Sequence, residues 1–283
     1  MPASFASHPA APRLRGRPRA VQAADPTSVQ ALDRALALLE ILAQSDGIAL
    51  SNLSQRAKLA PSSAYRLLTT LAARGFVEFL ERDQQWAIGV EAFRTGMAFP
   101  RRYSIATVGR GIMQELMHTT GETANIAIFE NGEIVFVSQV ESQEPIRAFF
   151  RTGERRPAHA SGIGKALLAE MPRAAVETIV ASKGLARFTE KTIVAAEPLF
   201  ANLALTHVRG WALDDEERNA GMRCIAAAVF NEFGDPVAGV SISGPVARLD
   251  DAAVARLGPM VTAGAAEITR LIGGVGLPRA GAT

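Results

Sequence analysis

The chain has 283 residues, 48% hydrophobic and 20% charged, the make-up of a globular protein with room for one large domain or two smaller ones. One cysteine excludes an intrachain disulfide framework, no apolar run approaches the ~20 residues of a membrane span, and the N-terminus lacks the apolar core of a secretory signal, so a cytoplasmic protein without a membrane partner is expected. The net charge of +2 is uneven: residues 1–87 hold 10 Lys/Arg against 7 Asp/Glu and residues 88–283 hold 20 against 21, which points the front third toward a nucleic-acid partner.

Residues 1–24, rich in Ala, Pro and Arg, read as a disordered basic tail. Its "RGRPR" resembles an AT-hook core, with Arg15 and Arg17 entering a narrow minor groove; plain attraction of arginines to phosphate accounts for the same residues and is the preferred reading. Residues 25–88 then show three helical patterns and a hairpin. Val29, Leu32, Leu36, Leu39 and Ala43 recur at helical spacing, with Thr27 or Ser28 as cap and Asp46-Gly47 as stop. A short helix follows, capped by Ser51 or Ser54, with Leu53 and Ala57 inward; "LAP" breaks it after Lys58. A second helix runs from about Ser62 to Arg74, with Ala64, Leu67, Leu68 and Leu71 inward and Gly75 as its stop. "FVEFL" and "QWAIG" flank "ERDQ" as a β-hairpin wing, completing a winged helix-turn-helix.

Residues 89–104 form a linker helix, interrupted at Pro100, and 105–283 form a second domain. It opens with a helix near Ile105–Thr119. "ANIAIFENGEIVFVSQV" is a hairpin turning at Asn131-Gly132, and "CIAAAVFNEFGDPVAGVSISG" another turning at Gly234-Asp235. Helices are expected over "SGIGKALLAEM", about 172–183, 196–209 and 250–272. Hairpins mixed with helices imply an α+β fold with an antiparallel sheet.

In a winged helix-turn-helix the second helix enters the major groove N-terminus first. Pro61, Ser62, Ser63, Tyr65 and Arg66 occupy that end. Arg66 suits a guanine edge or a phosphate, the serines either, and Tyr65 the backbone or a thymine methyl; Lys58, Thr70 and the wing's Arg82 are candidate phosphate contacts. The competing reading is a protein-interaction module.

The stretch "SVQALDRALALLEILAQSDGIALSNLSQRAKLAPSSAYRLLTTLAARGFVEF" resembles the DNA-binding domain of IclR-type bacterial transcription regulators. "GETANIAIFENGEIVFV", "PAHASGIGKALLAEMP" and "GWALDDEERNAGMRCIAAAVFNEFGDPVAGVSISGP" resemble that family's effector-binding domain. The resemblance implies a GAF-like effector domain, dimers formed through the N-terminal domains or dimers of these dimers, and a palindromic double-stranded operator. Its glyoxylate-responsive members further imply a site of Asp214, Cys224, Ser241 and Ser243 with the amides of Gly162 and Ile163, and control of glyoxylate or glycolate assimilation genes; Ile163 is bulkier than the small residue expected there. Other relatives imply pyruvate or an aromatic acid as effector.

That residue set is chemically coherent. Ser161 can cap a helix whose first amides hold a carboxylate. Ser241 and Ser243, two apart on a strand, present both hydroxyls on one face. Asp214 tolerates an anionic ligand only if it accepts from a hydroxyl or is itself protonated. Asp215, Glu216 and Glu217 read as a solvated loop. A catalytic Cys224 would need a histidine base, and His8, His118, His159 and His207 share no motif with it; metal-ligand spacings are absent, and no cofactor is implied.

Overall fold

The computed structural model describes residues 29–98 and 105–276. The chain falls into two compact units, Met1–Gly96 and Met97–Thr283. The basic tail with Arg15 and Arg17, and the caps expected at Thr27 and Ser28, lie outside the described residues.

In the first unit α1 (Gln30–Leu42), α2 (Leu50–Arg56) and α3 (Pro61–Ala73) precede an antiparallel hairpin of β1 (Val77–Leu80) and β2 (Gln85–Ile88). Leu38, Leu42, Leu53, Ala64 and Leu68 are fully buried and meet Val77 and Trp86 in one core. The stripe expected on α1 divides: Val29, Leu32 and Leu36 are exposed, and Leu38 and Leu42 anchor the helix instead. A helix with leucines on two faces can bury only one of them against a core this small. Nor does a serine cap α2, which starts after Ala49; Ser54 lies inside it, donating to the Ser51 carbonyl at 2.9 Å. The turn into α3 is made by Lys58 at φ 53°, with the Leu59 amide closing on the Ser54 carbonyl at 2.9 Å. Pro61 then starts α3 where no helical N–H is needed. Of the linker region, α4 (Val90–Gly96) is described.

The second unit begins with α5 (Ile105–Val108) and α6 (Arg110–Thr120), where one continuous helix was expected. The break falls at Gly109, against which Ile126 packs so closely that an added Cβ would stand 2.4 Å from Ile126 Cδ1. β3 (Thr123–Glu130) and β4 (Glu133–Val140) form the Asn131-Gly132 hairpin, both turn residues having positive φ. β5 (Arg155–Pro157), α7 (Gly162–Leu168), α8 (Arg173–Lys183) and α9 (Ala196–Arg209) follow. The unit closes with β6 (Ala212–Asp215), β7 (Met222–Phe230), β8 (Pro236–Pro245) and α10 (Asp251–Leu271). The strands make one antiparallel sheet in the order β5-β4-β3-β8-β7-β6.

Alternation gives the sheet two buried faces. Ile126, Ile225, Val240 and Ile242 pack with α6 and α10, through Met113, Leu257, Val261 and Ile268. The opposite face carries Ala127, Ala226 and Ala228 under Ile163, Ala166 and Leu167 of α7. Small residues let α7 lie close: a Cβ on Gly239 would stand 2.6 Å from Ile163 Cγ2, and one on Gly162 would stand 2.8 Å from Cys224 Sγ. Among the described residues no helix is long and apolar enough to cross a membrane.

Candidate functional site

Strand register builds the site. Asp214 on β6 pairs with Cys224 on β7, Cys224 with Ser243 on β8, and Ser243 with Thr123 on β3, so four polar side chains form one row across the α7 face. In the next row Ala226 pairs with Ser241 and Ser241 with Asn125. Asp214, Cys224, Ser241 and Ser243 of these rows floor a cavity of about 180 Å³ lined also by Ser161, Ile163, Phe136, Phe150 and Arg156. Thr123 holds the wall: its hydroxyl donates to the Ala148 carbonyl at 2.9 Å and accepts from the Ser142 amide at 3.1 Å.

Ser241 and Ser243 are 1% and 2% exposed, and among the described residues neither Oγ makes a hydrogen bond of good geometry, although the Cys224 thiol, a weak partner, lies beside both. Leaving a buried hydroxyl unpaired costs about 1–3 kcal/mol, so two side by side in a cavity mark a place built for an outside oxygen. Burial, reinforced by Glu217 and opposed by Lys165, pushes the Asp214 carboxyl up to about 7. Its Oδ1 accepts from the Glu217 amide at 2.8 Å. Burial and then Asp214 push the Cys224 thiol up to about 11, which the Ser243 and Ser241 hydroxyls only partly offset. A neutral thiol is a poor nucleophile. Neither His159, whose Nε2 is 3.0 Å from the Ala186 carbonyl, nor His207, whose Nδ1 is 2.9 Å from Glu170, turns toward it. No metal-holding group of His, Cys, Asp or Glu occurs among the described residues.

Of the six residues expected at the site, Ile163, Asp214, Cys224, Ser241 and Ser243 line the cavity. Gly162 does not; it is pressed against Cys224 and sets how near α7 comes to β7. Ser161 caps α7 as expected, accepting from the Gly164 amide at 3.4 Å. Ile163 Cγ2 sits over Gly239, where no side chain competes for the space.

The solvated-loop reading of residues 215–217 needs correction. Glu217 is 4% exposed and ion-paired with Lys165, which is fully buried and also donates to the Leu213 carbonyl at 2.5 Å. Asp215 pairs with Arg223 at 2.5 Å and Glu216 with Lys191 at 2.5 Å, so all three acids are engaged. Sequence reasoning also missed the cavity's cations, Arg147, Arg156 and Arg223. Of these only Arg156 left a trace, as a charge one residue from Arg155 on so short a strand that alternation could not be read.

In the first unit Pro61, Ser62, Ser63, Tyr65 and Arg66 are exposed on the first turns of α3, and Lys58 and Arg82 are exposed at the two flanking turns. The Tyr65 ring stands edge-on to Trp86, with centroids 6.3 Å apart, which ties α3 to the wing. The Thr70 hydroxyl donates to the Arg66 carbonyl at 2.9 Å, which commits its proton within the helix.

An exposed α3 with its wing, on a chain whose other unit encloses a polar-floored cavity, is the arrangement of a ligand-responsive transcriptional regulator. Residues 98–270 match the family described as bacterial transcriptional regulator IclR C-terminal, and residues 31–81 the IclR helix-turn-helix domain. The HTH-type transcriptional regulator BhcR of Paracoccus denitrificans (strain Pd 1222) is 43% identical over 261 residues, 91% of this chain and 94% of the relative. The transcriptional repressor IclR of Escherichia coli (strain K12) is 40% identical over 268 residues, 93% and 98% of the two chains. The crystal structure of the Thermotoga maritima IclR is similar with a TM-score of 0.72 at 27% identity, over 86% of this chain and 98% of that one. The chain belongs to the IclR family of bacterial transcriptional regulators, which bind DNA through the helix-turn-helix and small effectors in the C-terminal domain.

Proposed function

We propose that this regulator senses a small 2-oxo acid, glyoxylate first among them, in the cavity floored by Asp214, Cys224, Ser241 and Ser243. The observation that carries the reading is the pair of buried Ser241 and Ser243 hydroxyls, which make no hydrogen bond of good geometry and have only the weakly bonding Cys224 thiol beside them. They donate to the ligand's oxygens, the Ile163 amide at the start of α7 faces its carboxylate, and a protonated Asp214 donates where an ionised one would repel. Pyruvate fits the same floor. An aromatic acid has less support: Phe136 and Phe150 stack on each other with centroids 4.5 Å apart, and Arg156 covers Phe150, so little ring face is open to a ligand. Effector binding changes the affinity of the α3 surface, led by Arg66, for operator DNA. Glyoxylate or glycolate assimilation genes are the targets this ligand suggests.

The partner expected through the N-terminal unit is a second copy, giving a dimer or a dimer of dimers on a palindromic site. Leu32 and Leu36 on α1, with Val29 at its N-cap, form an exposed apolar stripe that supports it. The test is titration of purified protein with glyoxylate, pyruvate and protocatechuate, following thermal stability and release from promoter DNA. A shift of both by glyoxylate or pyruvate upholds the reading; a shift by protocatechuate alone overturns it.

A further inference from the structure

Burying a guanidinium on an apolar sheet face is unfavourable unless its donors are met. Arg156 is placed this way. It pairs across the sheet with Ile134, which is fully buried, while its neighbour Arg155 points outward to Glu130 and Glu133. The Arg156 side chain is 14% exposed and lines the cavity. Its Nε donates to Glu154 at 2.8 Å, and its Cζ lies 4.5 Å above the Phe150 ring, so the plane is held from two directions. Among the described residues neither terminal nitrogen has a hydrogen-bond acceptor, which leaves the end of a rigid fork free.

The other guanidinium groups on the cavity wall are committed differently. Arg223 reaches Asp215, Asp251 and the Leu249 carbonyl, and Arg147 reaches Glu141 and the Glu144 carbonyl. A further cation, Arg218, lies near Arg156 with its Nε buried and without a partner. Arg156 and Arg218 thus face Glu154 and Asp214, and with Asp214 protonated the positive charge is in excess. The cavity, about 180 Å³, also has room beyond a two-carbon acid, since Arg156 lines it together with the serine floor.

We propose that Arg156 receives a second carboxylate, so that the cavity also accepts 2-oxo dicarboxylates, whose first carboxylate and oxo group occupy the serine floor, and binds them more tightly than the three-carbon monocarboxylate. A planar fork with both terminal nitrogens free matches a carboxylate in bidentate fashion, which a lysine cannot do. The inference rests on the floor assignment above and adds a second anchor to it.

Pyruvate and freshly dissolved oxaloacetate differ by one carboxylate, and their affinity ratio, measured by calorimetry on the full-length protein, reads the anchor directly. The wild-type protein is expected to bind oxaloacetate at least about tenfold more tightly than pyruvate. Arg156→Gln brings the ratio toward one, and Arg156→Lys leaves an intermediate ratio, keeping the charge without the fork. Ser243→Ala weakens both ligands together and preserves the ratio. A wild-type ratio near one, or a ratio that survives Arg156→Gln, overturns the assignment of Arg156. Failure of glyoxylate, pyruvate and oxaloacetate alike to bind the wild-type protein overturns the floor assignment, and this inference with it.

Discussion

Raising the pH from about 6 to about 8 should weaken 2-oxo acid binding about tenfold, through Asp214 alone. Its carboxyl sits at about 7 because burial disfavours the charge and Glu217 adds to that, with Lys165 opposing. The other charged or titratable groups around it are Arg218 in the following loop and Cys224 on β7, whose thiol at about 11 stays neutral over the range. No histidine lines the cavity among the described residues. If only the protonated form accepts a carboxylate ligand, the apparent Kd equals the intrinsic Kd divided by the protonated fraction, which falls from about 0.9 to about 0.1 across neutrality. Asp214→Asn keeps a donor and an acceptor without the titration, so its affinity should be flat with pH and close to the acid-side value of the wild type. Stability carries the same signature. A carboxyl raised in the folded state binds more protons there than in the unfolded chain, so its contribution is full below about pH 4 and is lost as pH rises to about 7, with a ceiling of about 4 kcal/mol. Calorimetric titrations and melting curves at several pH values on both proteins test this. Parallel pH profiles for wild type and Asp214→Asn would refute the reasoning.

Four other outcomes are expected. Lys165→Met leaves Glu217 buried without its partner and should cost about 3–5 kcal/mol, lowering the C-terminal unit's melting temperature by about 10 °C; a simultaneous Glu217→Leu should recover much of the loss. Gly239→Ala puts a methyl 2.6 Å from Ile163 Cγ2 and should push that side chain toward the cavity, reducing effector affinity in titrations more than it lowers the melting temperature. Arg66→Ala should weaken operator binding in a mobility-shift assay by about 1–3 kcal/mol while effector titrations stay as in wild type. Leu32→Asp with Leu36→Asp should lower the sedimenting mass toward the monomer if the exposed α1 stripe is the dimer seam.

Legibility in the sequence followed the range of the interactions involved. α3, the wing and both hairpins were readable because each is set by local periodicity and by punctuation at Pro61, Asn131-Gly132 and Gly234. The pairing of Ser241 with Ser243 was readable for the same reason, since strand alternation alone puts both on one face. β6 was hidden because "ALDD" is too short and acidic to show alternation, and it forms only as the partner of β7. Glu217 looked solvated because its partner Lys165 is distant in sequence and comes near only when α7 packs on the sheet. Arg156 was silent because its inward direction depends on pairing with Ile134. On α1, period-3.6 spacing identified a helix but could not say which of two apolar faces would find the core.

The most direct test of the central claim is to measure glyoxylate binding and operator binding together on wild type and on the Ser241→Ala/Ser243→Ala variant. Removal of two donors should weaken glyoxylate binding by about 100-fold or more and abolish its effect on DNA affinity, while effector-free operator binding stays as in wild type. Unchanged glyoxylate affinity in the variant would contradict the account, because the two buried hydroxyls would then have no ligand to meet.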